Sequence, residues 1–473
     1  MKFKCLKIIC LLIVAYSSMI LHAQAKLSGL KVLTASKTTE ISQYGITWTF
    51  SEPVFFGTYI TGDYWVVGPV TIESVSPAPG TVTANGVTRF GNGSMINPMT
   101  GNGQAYDENA NGWNASKVIS FPITLFPGQS IVSTESISDF RLNSDGQIET
   151  VDGKKPSLNH CSLWSAAVLT CVSEEQTANT FRPPFVGDDK PVYSADNLNF
   201  NLLPQLSPTN SAPSNIDYYS RLIQRPWITH NTDWLARSIH PAMNMPSYHR
   251  EVVSNLSTIA TLLLTEGIQN EDLVLYAIQN GIDWYHMCIL GNGDSAFIEW
   301  PVLFAGLMLG DNTILSAFTS GSNKTLSRSV DKTYYWSDHH SSISSSIVTA
   351  GNTWTSYSRT PIPFWRQSST NGSQEHEHLD PSEWDLVSDG GGGKREVYRV
   401  INSRAWLGVG FSAIVLGIKN EWDHPAYFDY LDRWMRESGS YIKSLYSSAD
   451  PEDYQCGNSD FVTDMWNEYR NNY

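Results

Sequence analysis

The hydrophobic period of this sequence changes once along the chain, and that change limits what it can fold into. Up to Glu174 the apolar residues alternate in short segments: ITWTFSEPV from Ile46, TGDYWVVGPVTIESV from Thr61, TVTANGVTRF from Thr81, KVISFPITLF from Lys117, QSIVSTESI from Gln129 and AAVLTCVS from Ala166. Alternation broken by turn signals such as Asn85-Gly86 specifies strands with one buried face, and predicts an all-β sandwich. After Asn215 the spacing becomes helical. Val252, Leu256, Ile259 and Leu263 share one face, Gly267 closes that helix, and Asn270 with Glu271 and Asp272 opens another along Val274, Ile278, Ile282 and Tyr285. So short a loop predicts an αα-hairpin. A later helix spans Val397 to Leu416 and stops at Gly417, and Pro425 sits in the first turn of the next. Phe181 to Asn215, rich in proline and asparagine, has neither period and reads as a linker. The expected organisation is a signal at 1–25, a β-sandwich domain at 26–180, the linker at 181–215 and a helical domain at 216–473.

Lys2, Lys4 and Lys7, the apolar run Ile8 to Val14 and the small-x-small sequence Ala23-Gln24-Ala25 predict an export signal cut after Ala25. No later apolar run reaches the roughly 20 residues that span a bilayer, so a water-soluble product of the periplasm or medium is expected. The formal charge is -15, and losing the three leader lysines deepens it. Such a chain is repelled by nucleic acid and anionic membranes, and neither is an expected partner. Cys161 and Cys171 fit either a bridge between neighbouring strands or two buried thiols.

Nine of the 11 histidines lie between His230 and His424, a stretch also dense in tryptophan. Histidine titrates near neutrality and tryptophan offers flat apolar faces, a pairing suited to sugar recognition with acid–base chemistry. Four places stand out. Asn244, Tyr248, His249 and Arg250 end a segment with four arginines and one acid from Arg221 onward, which suits a carboxylate ligand. Asp338, His339 and His340 form the second. In QEHEHLD, His376 and His378 share a face of an extended segment and would hold Zn²⁺ if a third ligand such as His339 arrived. On the late helix Tyr398 and Asn402 share a face beside Arg399, with Arg404 beyond; a neighbouring guanidinium favours the phenolate of Tyr398. Each place also fits a structural reading, with arginines paired elsewhere and histidines satisfied in loops. His240, His286 and His424 are assigned structural roles, His286 as part of a buried pair with Tyr285.

A β-rich part joined to helical hairpins, with Asn244 to Arg250 and Glu375 to Arg404 supplying Asn, His, Tyr and Arg, resembles the secreted polysaccharide lyases with an α/α toroid, among them alginate lyases and heparinase II/III-type enzymes. The signal and the Asn/Ser/Ile-rich composition are similar to those of marine Bacteroidetes proteins acting on ulvan or alginate. The resemblance implies an α/α toroid, complete or incomplete, over 216–473. In those relatives the β domain often follows the toroid, whereas here it comes first. The implied reaction is β-elimination on an anionic, uronate-containing polysaccharide or oligosaccharide. Tyr248, His249 and Tyr398 would move protons, while Asn244, Arg250, His339, His376, His378, Arg399 and Arg404 would bind substrate. No cofactor is required, with Zn²⁺ or Ca²⁺ as optional additions. Alternatives left open are a dehydratase at oligosaccharide ends, a hydrolase using carboxylates among Glu375, Glu377, Asp380, Glu383 and Asp385, and a non-catalytic carbohydrate-binding protein.

Overall fold

A computed structural model of the chain describes residues 36–84, 86–99, 101–138, 162–228, 249–267, 271–290, 299–319, 333–336, 362–365, 396–437 and 460–473. The alternating segments form strands: β1 (Ser36–Gln43), β2 (Ile46–Thr58), β3 (Tyr64–Val67), β4 (Val70–Ser76), β5 (Gly80–Ala84), β6 (Val87–Gly91), β7 (Ser94–Ile96), β8 (Ile123–Leu125), β9 (Gln129–Ser136) and β10 (Leu163–Val172). β5 and β6 pair from Ala84 opposite Val87, the two-residue hairpin that Asn85-Gly86 signals.

These strands do not build a sandwich. Eight of them form one mixed sheet in the order β7-β9-β10-β3-β2-β4-β8, with β1 on β2, curled into a half-barrel. The cause lies in two long-range pairings. β1 runs along one edge of β2, so β4 and β3 share its opposite edge, at Thr47–Phe50 and Phe56–Thr58. Register shifts at Thr38/Glu40 and Thr49/Phe50 mark bulges, which bend a strand and increase its twist. β10 then enters between β9 and β3, antiparallel to the first and parallel to the second. Its sequence is apolar on both faces because both are covered. Ala167, Leu169 and Cys171 join Trp48, Ile72 and Leu125 in one core, while Ala166 and Val168 join Phe181, Phe185, Leu256 and Trp284 in the other. Across the curl, Trp48 Nε1 donates to Ser133 Oγ at 3.0 Å. Cys171 is a free, buried thiol, and burial pushes its pKa up to about 12; Cys161 lies outside the described residues.

Nine α-helices lie among the described residues: α1 (Ile216–Ile223), α2 (His249–Leu262), α3 (Glu271–Ile289), α4 (Glu299–Leu309), α5 (Asn312–Leu315), α6 (Glu396–Val415), α7 (Lys419–Trp422), α8 (Pro425–Glu437) and α9 (Asp460–Tyr469). α2, α3, α6 and α8 lie where helical spacing predicts them and the other five go unpredicted; among the described residues the helices do not form a large α/α toroid. α2 packs mainly on α6, and α3 on α4. Glycines decide these pairings. A Cβ on Gly408 would sit 2.3 Å from Ser257 O, and one on Gly281 would sit 2.1 Å from Pro301 O, so each helix approaches its partner closely only where the side chain is missing. Ser257 Oγ seals the first pair by donating to Ala405 O, and Trp300 Nε1 ties α4 to α6 through Ser412 Oγ at 3.0 Å. A two-stranded ribbon, β11 (Thr333–Trp336) with β12 (Ile362–Trp365), lies against α8. His424 holds it: Nε2 is 3.0 Å from both Thr333 O and Thr333 Oγ1.

Candidate functional site

The residues singled out from sequence fall into two groups. Asn244, Tyr248, His339, His376 and His378 lie outside the described residues. His249 and Arg250 open α2; Tyr398 and Arg399 lie near the start of α6 and Arg404 further along it, with only their backbones described. The helices bearing these two sets pack on one another at Ser257 and Gly408.

A different cluster is fully drawn. It begins where the chain leaves the sheet. Arg182 is 2% exposed and lies between an acid from the β2–β3 turn and one from α3: its Nε donates to Asp63 Oδ2 at 3.0 Å, its Nη1 to Asp283 Oδ1 at 3.1 Å and its Nη2 to Asp283 Oδ2 at 2.5 Å. Gln43 and Thr61 complete the shell of Asp63 at 3.2 and 3.0 Å, and Gln279 donates to Arg182 O at 3.1 Å. Burial works to lower the pKa of the guanidinium, and Asp283 and Asp63 outweigh it. For Asp283 burial is the larger effect, and its carboxyl stays above the usual range despite Arg182.

From this anchor the segment turns back over the C-terminal half of α3. Gly187 makes the turn with a φ of +62°, a left-handed conformation that favours glycine, and a Cβ there would meet Leu290 at 2.9 Å. Asp188 accepts from Asn97 Nδ2 at 2.9 Å. Lys190 follows, half-buried, and then Tyr193, whose hydroxyl is 2.9 Å from His286 Nε2. His286 stands three residues after Asp283, so one face of α3 presents both to the segment. His286 is 8% exposed and Tyr193 partly so; Val192, the residue before Tyr193, and Ile289, three residues after His286, are exposed.

The electrostatics set the protonation of this pair. Burial holds His286 down at about 4, with Asp189 opposing and Lys190 adding to the effect. The imidazole is therefore neutral at ordinary pH. Burial, with Asp311, Tyr285 and Asp189 adding to it, raises the phenol of Tyr193, which keeps its proton. With the imidazole proton on Nδ1, Nε2 accepts from Tyr193; with it on Nε2, the phenol oxygen accepts. The two neutral groups share one hydrogen bond, with His286 buried and Tyr193 partly exposed. Among the described residues no three His, Cys, Asp or Glu side chains converge as metal ligands.

Sequence reasoning placed His286 in the core and passed over Tyr193 and Lys190, which stand in the aperiodic Pro/Asn-rich segment. The available signal was the unusual apolar run FRPPFV inside that segment, since a solvent-exposed linker has no need of two phenylalanines. No known protein family matches the chain, and no curated protein or solved structure matches it. No helix among the described residues is long and apolar enough to cross a membrane.

Proposed function

We propose that this chain is an exported enzyme that cleaves a uronate-containing polysaccharide by β-elimination, with Tyr193 and His286 as its proton-transfer pair. The observation that carries the reading is the 2.9 Å contact between Tyr193 Oη and a histidine that burial keeps neutral. Elimination needs a base for the proton next to the carboxylate, an acid for the departing oxygen and a cation for the carboxylate. A neutral imidazole supplies the base and a protonated phenol the acid. Arg250, Arg399 and Arg404 are the proposed carboxylate partners. A hydrolase would instead place two carboxyl groups across the bond, and the pair here is phenol and imidazole.

Incubation with ulvan, alginate, glucuronan and glycosaminoglycans, followed by absorbance in the short-wavelength ultraviolet, reads the unsaturated uronate directly. Reducing ends formed without that absorbance would refute elimination. Tyr193→Phe is expected to lower kcat on the order of 10²-fold or more, the usual loss of a proton-transfer group. Full activity in Tyr193→Phe together with loss in Tyr398→Phe would move the site to the sequence-chosen residues Tyr248, His249 and Tyr398.

A further inference from the structure

Tyr193 is carried by a loop that is closed at its neck and again part-way along. At the neck Phe181 N donates to Tyr193 O at 2.8 Å, Thr180 bridges Ser194, and Ala195 N donates to Asn179 O at 2.7 Å. Ends held this close make 181–193 an Ω-type loop, a class packed by its own side chains. Arg182 fills the base, between Asp63 and Asp283. The tip is fixed to the sheet, where Gly187 N donates to Pro98 O at 3.1 Å and Asp188 accepts from Asn97 Nδ2 at 2.9 Å. Lys190 closes the span between base and tip. From the returning arm its Nζ donates across to the outgoing arm, to Pro184 O at 2.8 Å and to Val186 O at 3.3 Å. Pro184 and Val186 are buried, and a buried carbonyl that loses its donor is costly. The tie does not depend on charge, because a neutral amine keeps two N–H groups, one for each carbonyl. Only Pro191, whose ring fixes φ, and Val192 separate Lys190 from Tyr193. A shift at Lys190 therefore reaches Tyr193 with little slack, and the Tyr193 hydroxyl is the group that meets His286 Nε2 at 2.9 Å.

We propose that Lys190 is a positioning residue: by stapling the two arms of loop 181–193 it holds the Tyr193 hydroxyl against His286 Nε2. Its effect on catalysis rests on the reading of Tyr193 and His286 as the proton-transfer pair, whereas its effect on the contact does not. Lys190 itself touches no reacting atom.

The test is a side-chain ¹⁵N–¹H spectrum of the full chain carrying ¹⁵N-histidine, taken without substrate, with the His286 signal identified by its loss in His286→Gln. Tyr193→Phe gives the position of that signal once the contact is gone. Lys190→Met keeps an apolar stem and removes the donors, and should move the His286 signal toward the Tyr193→Phe position. Lys190→Arg restores N–H donors on a long stem and should return it. The His424 signal, which reports the tie to Thr333, should stay in place throughout. If Lys190→Met fails to fold, as a displaced His424 signal would show, Lys190→Gln is read in its place. On an eliminated substrate the same variant should lower kcat on the order of 10- to 10²-fold with KM unchanged, the cost of a misplaced catalytic group, and Lys190→Arg should recover it. A His286 signal that stays put without the Lys190 donors, or that moves equally in Lys190→Arg, would overturn the proposal. Because the spectrum reads the contact and ultraviolet absorbance reads the unsaturated uronate, failure of one is told apart from failure of the other.

Discussion

Replacing Arg182 by methionine keeps most of the apolar stem and removes the guanidinium from between Asp63 and Asp283. Both acids are 3% exposed, so neither gains water in exchange. Four charge-assisted hydrogen bonds are lost, three to the acids and one from Nη1 to Pro183 O. Removing one partner of a buried ion pair costs about 3–5 kcal/mol, and with two acids stranded the upper end, roughly 5 kcal/mol at pH 8, is the expected loss. The loss should depend on pH in a defined direction. Burial already raises Asp283 above its ordinary range, and without Arg182 it is expected to fold as the protonated acid. A carboxyl whose pKa is raised on folding stabilises the fold below its unfolded value, and loses that contribution as pH rises through the folded one. The deficit of Arg182→Met should therefore shrink as pH falls from 8 to 5, by at most about 1.4 kcal/mol per pH unit. Urea unfolding followed by tryptophan fluorescence at both pH values measures it. Adding Asp283→Asn should remove the slope. A variant within about 1 kcal/mol of the parent at pH 8, or a deficit unchanged at pH 5, would refute the view that Arg182 is a charged tie between sheet and helix.

Four other outcomes follow from the same structure. His286, lowered from 6.5 to about 4, contributes stability that is complete above its unfolded pKa and lost as pH falls toward 4; urea midpoints should show a loss of up to roughly 3 kcal/mol across that window, absent in His286→Gln. The same histidine should set the acid limb of any elimination activity near 4, and a limb near 6.5 would count against its role. Gly281→Ala and Gly408→Ala each force a methyl against a partner backbone and should cost roughly 3 kcal/mol in chemical denaturation, whereas Gly267→Ala, with open space around it, should cost about 1 kcal/mol. Cys171 should resist iodoacetamide at pH 8 in the folded protein and react once urea exposes it, as mass spectrometry would show.

Local geometry was legible in the sequence and partnership was not. Val252, Leu256, Ile259 and Leu263 place α2 because helical spacing is a property of the segment alone, and Asn85-Gly86 marks the β5–β6 hairpin for the same reason. Alternation in AAVLTCVS announces a strand but carries no information about its neighbours, so the entry of β10 between β9 and β3 could not be read. Gly281 and Gly408 look like weak points of their helices until Pro301 and Ser257 come against them. The hairpin expected between α2 and α3 gives way to those two approaches. The phenol–imidazole contact was hidden for a related reason: Tyr193 meets a histidine 93 residues away, and the burial that shifts both groups is a property of the folded segment.

β10 has a consequence for the order of assembly. It is the last strand of the sheet to leave the ribosome and belongs near its middle, flanked by β9 and β3. A nascent chain that stops before Leu163 holds β7 and β9 on one side and β3, β2, β4 and β8 on the other, with the facing edges of β9 and β3 unpaired. Such edges invite pairing with other chains until they are filled. The half-barrel must therefore wait for a strand contributed late, and its closure brings together residues more than a hundred positions apart, at Leu169 and Tyr64. Slow, nonlocal closure of this kind favours a chain kept unpaired until it is complete.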